Sequence, residues 1–526
     1  MGPESIRRAA TVLPGVAADG AARARVVVHH SRLLQMGLAG LAVALLLPQF
    51  LPGVTSSYLL VVAVAAGAAL LIAATEDAAH RGTSLNLFIW ALLARCLAVT
   101  ACYALGMREG GPFLGPDSTT YFTKGGELAA SAFRLDMHPV IVFGSYDVSH
   151  YYLFAAAIRY LHTDLFGLQV MNCAMIALTA PLMFGIARIM LPSSALVLGL
   201  AVALHPSLIA LAAVDLLKDP SIIFGTVLLV WVIVRLTVER RPYAMGLYAV
   251  AGLAAALYLR SGRFYSFAYL EFAFIATVVF LRLLRVPIFQ RATAAVLVAA
   301  VFLTGEVVLA RASWPPSAIM VASNVSYVLD TPAMSHYAAG LFDRVRIASK
   351  STKMMGGDHD PIMVPVHLGP QSGRFAIAGT IVSSFANLFR RLYGPFVWIL
   401  PNDWHFRVLQ AGDYLLFPGM LVWYGLLPVI VVGLGATGWR IVTRTETRFG
   451  VVFLWLFSAV YFAQYLLINL SYRQRDVMLP VLLFFACVGA PYLARMARWR
   501  TWYASYWIAL ALIASVHILT RALMSA

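Results

Sequence analysis

Apolar runs of about 20 residues, each long enough to cross a hydrocarbon core roughly 30 Å thick as a helix, recur from Leu33 to the C-terminus. Of the 526 residues, 61% are hydrophobic and 12% are charged, whereas a soluble globular domain has roughly 45–50% and 25%. A water-soluble fold could not cover this much apolar surface. We therefore expect an all-α polytopic membrane protein in which lipid is the main solvent.

The runs predict about thirteen transmembrane helices, each of the length that a bilayer requires. The predicted spans are 33–51, 55–74, 85–106, 166–190, 193–213, 221–238, 243–259, 264–284, 293–310, 414–438, 447–469, 477–494 and 502–521. The four cysteines lie singly inside apolar segments without metal-ligand spacing, which favours small core residues over disulfides or zinc ligands. Residues 1–32 carry no cleavage signature, so the first helix is expected to be an uncleaved anchor.

Two further apolar stretches, 151–161 and 375–400, are short or interrupted by charge. If neither crosses and the N-terminus is cytoplasmic, nineteen Lys or Arg lie in the inner segments and six in the short outer ones. A crossing at 151–161 would invert the next six spans and place Arg240 and Arg241 outside. The positive-inside rule therefore favours two helices on the outer membrane surface, within long outer loops at 107–165 and 311–413.

The first long loop opens with Gly111-Pro112-Phe113-Leu114-Gly115-Pro116-Asp117-Ser118-Thr119-Thr120-Tyr121-Phe122, in which Asp117 stands like a helix N-cap. Lys124, Glu127, His138 and His150 follow, either as functional or as solvated residues. Because long loops in compact proteins are usually functional or disordered, and the aromatic and proline content here argues for order, we expect any chemistry to face outward.

Charged residues also stand in tight connections on the predicted outer side. Lys218 and Asp219 precede the span at 221–238, as an ion pair, a helix start, or groups that face a cavity. Two arginine pairs, Arg260 with Arg263 and Arg473 with Arg475, occupy later outer connections. A guanidinium matches phosphate oxygens, although snorkelling to lipid headgroups explains such arginines almost equally well.

The second long loop adds a cationic stretch with His336 and Tyr337, which would bind an anionic headgroup or simply be solvated. Arg95, Glu271 and Glu306 lie inside spans, where ionisable groups usually face the bundle interior and structural pairing is sufficient to explain them. Walker, GxGxxG, GxSxG and HExxH motifs are absent from the sequence, which disfavours nucleotide-driven transport and soluble-type hydrolase chemistry.

The order of a span, a long outer loop with an acidic residue, six spans and a second long loop resembles the GT-C class of membrane glycosyltransferases. Gly115-Pro116-Asp117-Ser118 with Tyr121, and the segment 206–220, resemble the branch related to protein O-mannosyltransferases and the lipid A aminoarabinose transferase. The sequence departs from that branch where Met137-His138-Pro139 replaces a common Lys-Pro-Pro, and where no second acid adjoins Asp117.

The predicted spans and this resemblance, which covers about Leu85 to Asp413, together divide the chain. The parts are a cytoplasmic tail (1–32), two extra helices (33–84), a seven-helix catalytic core (85–310) with its first external loop (107–165), a second external loop (311–413) and four C-terminal helices (414–526). The resemblance implies that Asp117 is catalytic and that Asp219 lines the same external cavity, so that both acids are predicted catalytic residues.

The implied enzyme uses a polyprenyl-phosphate or polyprenyl-diphosphate sugar at the periplasmic face of a bacterial inner membrane, with a glycan, lipid or protein as acceptor and no nucleic acid partner. Asp117 would act as general base, and Lys218, Arg260, Arg263, Arg473 and Arg475 would bind the donor phosphate. The candidates for substrate binding are Tyr121, Lys124, His138, His336 and Tyr337.

No cofactor is expected. A divalent cation is an open alternative, although a single first-loop Asp disfavours a dedicated metal site. A transporter or flippase of a lipid-linked saccharide and a polysaccharide polymerase or ligase are alternative functions.

Overall fold

The computed structural model describes residues 32–50, 58–104, 116–130, 148–214, 216–284, 292–311, 411–467 and 472–525 of the chain. Every regular secondary-structure element among these residues is a helix, and the described residues contain no β-strand. The α-helices are α1 (Arg32–Leu46), α2 (Tyr58–Thr75), α3 (Ala78–Ala104), α4 (Pro116–Ala130), α5 (Val148–Leu161), α6 (Leu165–Met190), α7 (Ala195–Leu204), α8 (Pro206–Ala213), α9 (Asp219–Val238), α10 (Pro242–Gly262), α11 (Phe264–Leu283), α12 (Ala292–Arg311), α13 (Ala411–Val442), α14 (Phe449–Leu467), α15 (Tyr472–Val477), α16 (Leu479–Arg495) and α17 (Trp499–Ser525).

Eight helical segments in the described part of the chain are long and apolar enough to cross a membrane, and all eight coincide with predicted spans. They are α2, α3, α6, the α7–α8 pair, α9, α10, residues 266–283 of α11 and residues 417–442 of α13. The chain is thus an all-α, multi-pass membrane protein. Of the other predicted spans, those at α1, α12 and α14 correspond to shorter apolar helices, and α16 and α17 meet the test only as a pair with a 118° bend.

The distribution of exposed side chains fits a lipid environment. Large apolar residues face outward along the helices, including Val250 (67% exposed), Leu303 (65%) and Leu512 (62%), a pattern that would aggregate in water. Of the most apolar stretch of α6, 94% is buried inside the protein, compared with 28% for α2. Helix α6 is accordingly the centre of the bundle, enclosed by α2, α3, α7, α8 and α9.

Several helices begin where a proline stands in the sequence. Pro206, Pro220, Pro242 and Pro480 each occupy the first turn of a helix, namely α8, α9, α10 and α16. A proline fits there because the amide that it lacks would have no intrahelical partner. These prolines place the helix starts next to the connections that carry the charged residues.

The predicted span at 193–213 is broken between α7 and α8. His205 has extended backbone angles (φ −64°, ψ 121°) and accepts, through Nδ1, a 3.2 Å hydrogen bond from the backbone N–H of Ser207. Pro206 has no N–H to donate to the carbonyl of Val202, and the amide of Ser207 is no longer available to Ala203. The break therefore leaves two carbonyls inside the protein that need other donors.

The side chain of Arg95, on α3, supplies those donors. Its Nη1 donates to the carbonyl of Ala203 at 2.7 Å, and its Nη2 donates to the carbonyl of Val202 at 3.3 Å. The guanidinium is completely buried, and it also stands at the negative end of the α7 dipole. This buried arginine thus has the structural pairing that the sequence suggested for it.

One end of the bundle is defined by Glu76, in the turn between α2 and α3. Its buried carboxylate forms ion pairs with Arg188, near the end of α6, and with Arg235, near the end of α9. Arg448, before α14, donates to the carbonyl of Met190 at 2.8 Å. The predicted spans place the connections near these residues on one side of the membrane, and in the structure these residues share one end of the bundle, called here the Glu76 end.

The opposite end, called the Asp219 end, contains the starts of α6 and α9 together with α4 and α5. Helix α5 is too short to count among the spanning helices. Its first turn reaches the start of α9, since His150 lies beside Ser221, and residues 162–164 lead directly from it into α6. Both ends of α5 therefore lie at the Asp219 end. The other ambiguous stretch, 375–400, lies outside the described residues.

Candidate functional site

The connection between α8 and α9 carries Lys218 and Asp219, and it is fixed by side chains from the first turns of α6. Asn172 Nδ2 donates to the carbonyl of Leu217 at 2.9 Å, and Gln169 Nε2 donates to the carbonyl of Val214 at 3.3 Å. Both donors are completely buried. The backbone around Lys218 is thus anchored to the most central helix of the protein.

The first turn of α4 lies against the same connection. The buried hydroxyl of Ser118 accepts a 3.1 Å hydrogen bond from the backbone N–H of Leu216. Asp117 precedes Ser118 in this turn, and its side chain is outside the described set. Ser118 and Leu216 are 98 positions apart in the sequence. Their hydrogen bond brings the backbone of Asp117 to the same part of the molecule as Asp219, the other acid predicted for this cavity.

Asp219 is the first residue of α9 and forms a buried ion pair. Its Oδ1 lies 2.8 Å from Nη1 of Arg263, with the side chains 4% and 6% exposed. The alignment is that of an ion pair rather than a linear hydrogen bond. Asp219 therefore both starts a helix and forms an ion pair, as the two structural explanations from the sequence required. Its catalytic role stays a prediction. Lys218, beside it, is half-buried.

A second buried arginine of this end is also paired with an acid. Arg260, in the last turn of α10 and completely buried, donates through Nε to Oε1 of Glu306 on α12 at 2.9 Å. Glu271 on α11 lies within electrostatic range of both groups. Phosphate would have to compete with these carboxylates, so phosphate binding by Arg260 and Arg263 stays a prediction.

Helix α15 brings a further ion pair to the start of α9. Arg475 donates through Nη2 to Oδ1 of Asp476 at 3.0 Å, and its guanidinium lies 4.7 Å from the ring centre of Trp423. Burial raises the pKa of Asp476 despite the opposing charge of Arg475, and the charge of Asp219 adds to that rise. The acids Asp476 and Asp219 are therefore electrostatic neighbours.

A cluster of uncharged polar groups completes the site. Tyr258 donates its O–H to Oγ of Ser221 at 2.5 Å, and Nδ1 of His150 lies 3.4 Å from each of these two oxygens. The hydroxyls of Ser149 and Ser261 are hydrogen-bonded to each other close by. This cluster links α5, α9 and α10 at the Asp219 end.

His150 is completely buried, which excludes the solvated alternative for it. Burial, and to a smaller extent the charges of Lys218 and Arg263, lower the pKa of His150 to about 3, although Asp219 acts in the opposite direction. The imidazole is therefore neutral at physiological pH. Its ring packs edge-on against Tyr121, with 4.7 Å between the ring centres.

The remaining predicted residues are distributed as follows. Tyr121 is buried beside His150, at the site. Lys124 forms a 2.8 Å ion pair with Glu127 on the exposed side of α4. Four predicted positions lie outside the described side chains: His138, His336, Tyr337 and Arg473.

Metal ligands are not grouped in the described residues, where no three His, Cys, Asp or Glu side chains come together. The described free thiols are Cys96, Cys102, Cys173 and Cys487, of which the first three are buried. They belong to the packing of the helices, as predicted from their apolar surroundings.

Sequence reasoning missed the cluster of His150, Ser221 and Tyr258. These residues are separated by 71 and 108 positions, and none belongs to a short motif. The one available signal was a histidine at the start of a helix with a mixed pattern. Comparison with known proteins gave no match, either to a family model or to a curated protein sequence.

Proposed function

We propose that the chain is a GT-C-type membrane glycosyltransferase, which transfers a sugar from a polyprenyl-phosphate or polyprenyl-diphosphate donor to an acceptor at the external face of the membrane. One observation carries the proposal. The hydrogen bond from Leu216 to Ser118 joins the first-loop turn that contains Asp117 to the connection that contains Lys218 and Asp219. An acid and a cation from separate loops thereby meet at a single end of the bundle.

The proposed enzyme crosses the membrane thirteen times, with a cytoplasmic N-terminus and the Asp219 end outside. Helix α5 and the stretch 375–400 then lie on the outer surface. The distribution of charge supports this orientation. Arg260, Arg263 and Arg475 at the Asp219 end are each paired with a carboxylate, whereas the connections at the Glu76 end carry an excess of arginine, as cytoplasmic loops do.

In the proposed reaction an acceptor hydroxyl attacks the anomeric carbon of the donor sugar. A bond forms between the acceptor oxygen and that carbon, the bond from the carbon to the phosphate oxygen breaks, and the polyprenyl phosphate or diphosphate leaves. Asp117 takes the hydroxyl proton. Lys218 stabilises the negative charge that develops on the leaving group, because a fixed cation in a water-poor site needs little reorganisation.

Purified protein in nanodiscs, supplied with polyprenyl-phosphate sugars and candidate acceptors, tests this assignment. Replacing Asp117 by Asn should lower the transfer rate by at least about 100-fold, the usual scale of general-base catalysis. Glu127→Gln is the matched control, since it changes an exposed acid of the same helix and should leave the rate unchanged. Full activity in Asp117→Asn would refute the proposed mechanism.

One structural observation favours the alternative of a transporter or flippase. The span formed by α7 and α8 is broken at His205, and broken helices are typical of transporters with a site near the membrane midplane. Here Arg95 fills the break, and the polar cluster lies at the end of the bundle. Movement of an unaltered lipid-linked saccharide across vesicles would favour this alternative, whereas a covalently modified acceptor would favour transfer. A polymerase or ligase would keep the same chemistry with a saccharide chain as substrate.

A further inference from the structure

The polar cluster at the Asp219 end has a definite arrangement of protons. A carbonyl oxygen can only accept, so Ser221 must donate its O–H to the carbonyl of Lys218, 2.7 Å away. Tyr258 in turn donates its O–H to Oγ of Ser221 at 2.5 Å. Both hydroxyl protons are therefore committed, and each oxygen offers only lone pairs to a third group.

This arrangement determines the tautomer of His150. Its Nδ1 lies 3.4 Å from the oxygens of Tyr258 and Ser221, and neither has a proton left to give. Nδ1 must then carry the proton. Because a neutral imidazole has one N–H, Nε2 is left with a bare lone pair.

The Nε2 atom of His150 is buried, and the described part of the chain contributes no hydrogen-bond partner for it. Buried polar atoms in folded proteins nearly always have a partner, and an exception calls for an explanation. The unpaired Nε2 of His150 lies at the proposed catalytic end, so a bound ligand would explain it by supplying the missing hydrogen-bond donor.

The surroundings of His150 select the type of donor. The phosphate groups of a sugar-bearing polyprenyl phosphate or diphosphate are of the diester type and carry no proton at neutral pH, so they cannot donate to this lone pair. A cationic donor is disfavoured because the nearby cations Lys218 and Arg263 already create a positive potential at the imidazole. The rings of Tyr121 and Phe154 pack against the imidazole, so its other neighbours are largely apolar. A neutral hydroxyl attached to a partly apolar ring satisfies all three conditions.

We infer that Nε2 of His150 accepts a hydrogen bond from a hydroxyl group of the bound saccharide, which makes His150 a substrate-binding residue. This inference rests on the proposed function and adds to it the part of the site that holds the sugar. The phosphate end of the donor would then lie toward Lys218, at the start of α9.

The tautomer is testable without any activity. Protein labelled with ¹⁵N-histidine in nanodiscs should show, for His150, a protonated Nδ1 and an unprotonated Nε2, with His150→Asn identifying the signal by its loss. Ser221→Ala should reverse the tautomer, because Tyr258 would then be able to donate to Nδ1 and the proton would move to Nε2. A protonated Nε2 in the wild-type protein would overturn the inference.

The ligand is tested with farnesyl phosphates that carry mannose, glucose or arabinose, with farnesyl phosphate as the sugar-free counterpart. At least one sugar-bearing lipid should shift the Nε2 signal of His150, and the sugar-free lipid should not. Equal effects of all four lipids, or no effect of any, would overturn the inference. A shift by a sugar-bearing lipid without transfer to any acceptor would uphold the inference and instead refute the proposed glycosyltransferase activity.

Substitution supplies a second test. In His150→Asn the amide group takes the place of Nδ1–H and keeps the donor to Tyr258, but the acceptor at Nε2 is lost. We expect KM for the sugar donor to rise about tenfold, the loss of one hydrogen bond. The smaller side chain also leaves a cavity, which lowers the thermal midpoint without loss of the fold. His162→Asn is the control, since His162 is exposed and its positive φ of 48° suits asparagine. An unchanged KM in His150→Asn would contradict the inference.

Discussion

The buried charges at the Asp219 end stabilise the protein only as pairs. Asp219 and Arg263 lie 2.8 Å apart with almost no solvent contact. Removing one partner of such a pair leaves a charge in a medium that solvates it poorly, which typically costs about 3–5 kcal/mol. Removing both charges together leaves no unpaired ion.

Asp219→Asn should therefore lower the free energy of unfolding by about 3–5 kcal/mol, and the double variant Asp219→Asn/Arg263→Gln should recover a large part of that loss. Denaturant titration of the three proteins in one detergent measures the effect. Glu127→Gln, which breaks an exposed pair, should cost less than about 1 kcal/mol. If the double variant were less stable than Asp219→Asn alone, the pairing would not be the source of the effect.

The connection after α9 gives a pH dependence of known sign. Hydrogen bonds from the side chain of Arg241 lower the pKa of Glu239 from 4.5 to about 2, although burial opposes them. A carboxyl group with a lowered pKa in the folded state stabilises the fold above its unfolded pKa, and that contribution is lost as the pH falls toward the folded pKa.

Glu239→Gln should thus be less stable than the wild type above pH 4.5, with a difference that shrinks as the pH approaches about 2. Thermal midpoints measured across this range provide the test. Arg241→Gln should likewise make the thermal midpoint depend less on pH between about 4.5 and 2, because it removes the side-chain donor to Glu239. Parallel curves for the wild type and both variants would rule out the interaction.

At the scale of helices, the break between α7 and α8 depends on Pro206 and on Arg95. Arg95→Met should destabilise the protein by about 1–3 kcal/mol for each carbonyl left without a donor. In a Pro206→Ala background the same change should cost less, since residue 206 regains an N–H for the carbonyl of Val202. A double-mutant cycle on unfolding free energies measures this coupling, and strictly additive effects would contradict it.

The sequence predicted the helices better than the site. A span of about 20 apolar residues is a local property, so all eight spanning helices coincide with predicted ones. The arginines were harder to interpret, because Arg260 pairs with Glu306 across 46 positions. The acids Asp219 and Asp476, in outer connections, were a usable sign of pairing for Arg263 and Arg475, whereas Glu306 lies inside a predicted span. The proton arrangement around His150 depends on three helices and leaves no local pattern.

In the whole molecule, the proposed topology requires the two ends of the bundle to face opposite sides of the membrane. Helix α9 has 20 residues and is about 30 Å long, so its ends cannot share a side. Single cysteines at positions 218 and 240, in a protein without the four native cysteines, should react with an impermeant maleimide from opposite sides. A cysteine at position 162 should behave like the one at 218, because α5 does not cross. Labelling of 162 and 240 from the same side would overturn the topology.

The proposed activity is the transfer of a sugar from a lipid carrier at the Asp219 end of this membrane protein. Mass spectrometry of surface glycans and of lipid-linked sugars, in cells with and without the protein, tests it most directly. If the chain has this activity, loss of the protein removes one glycan modification and leaves one sugar-loaded polyprenyl lipid in excess, and Asp117→Asn fails to restore either. Unchanged glycans and lipids, or full restoration by Asp117→Asn, would contradict it.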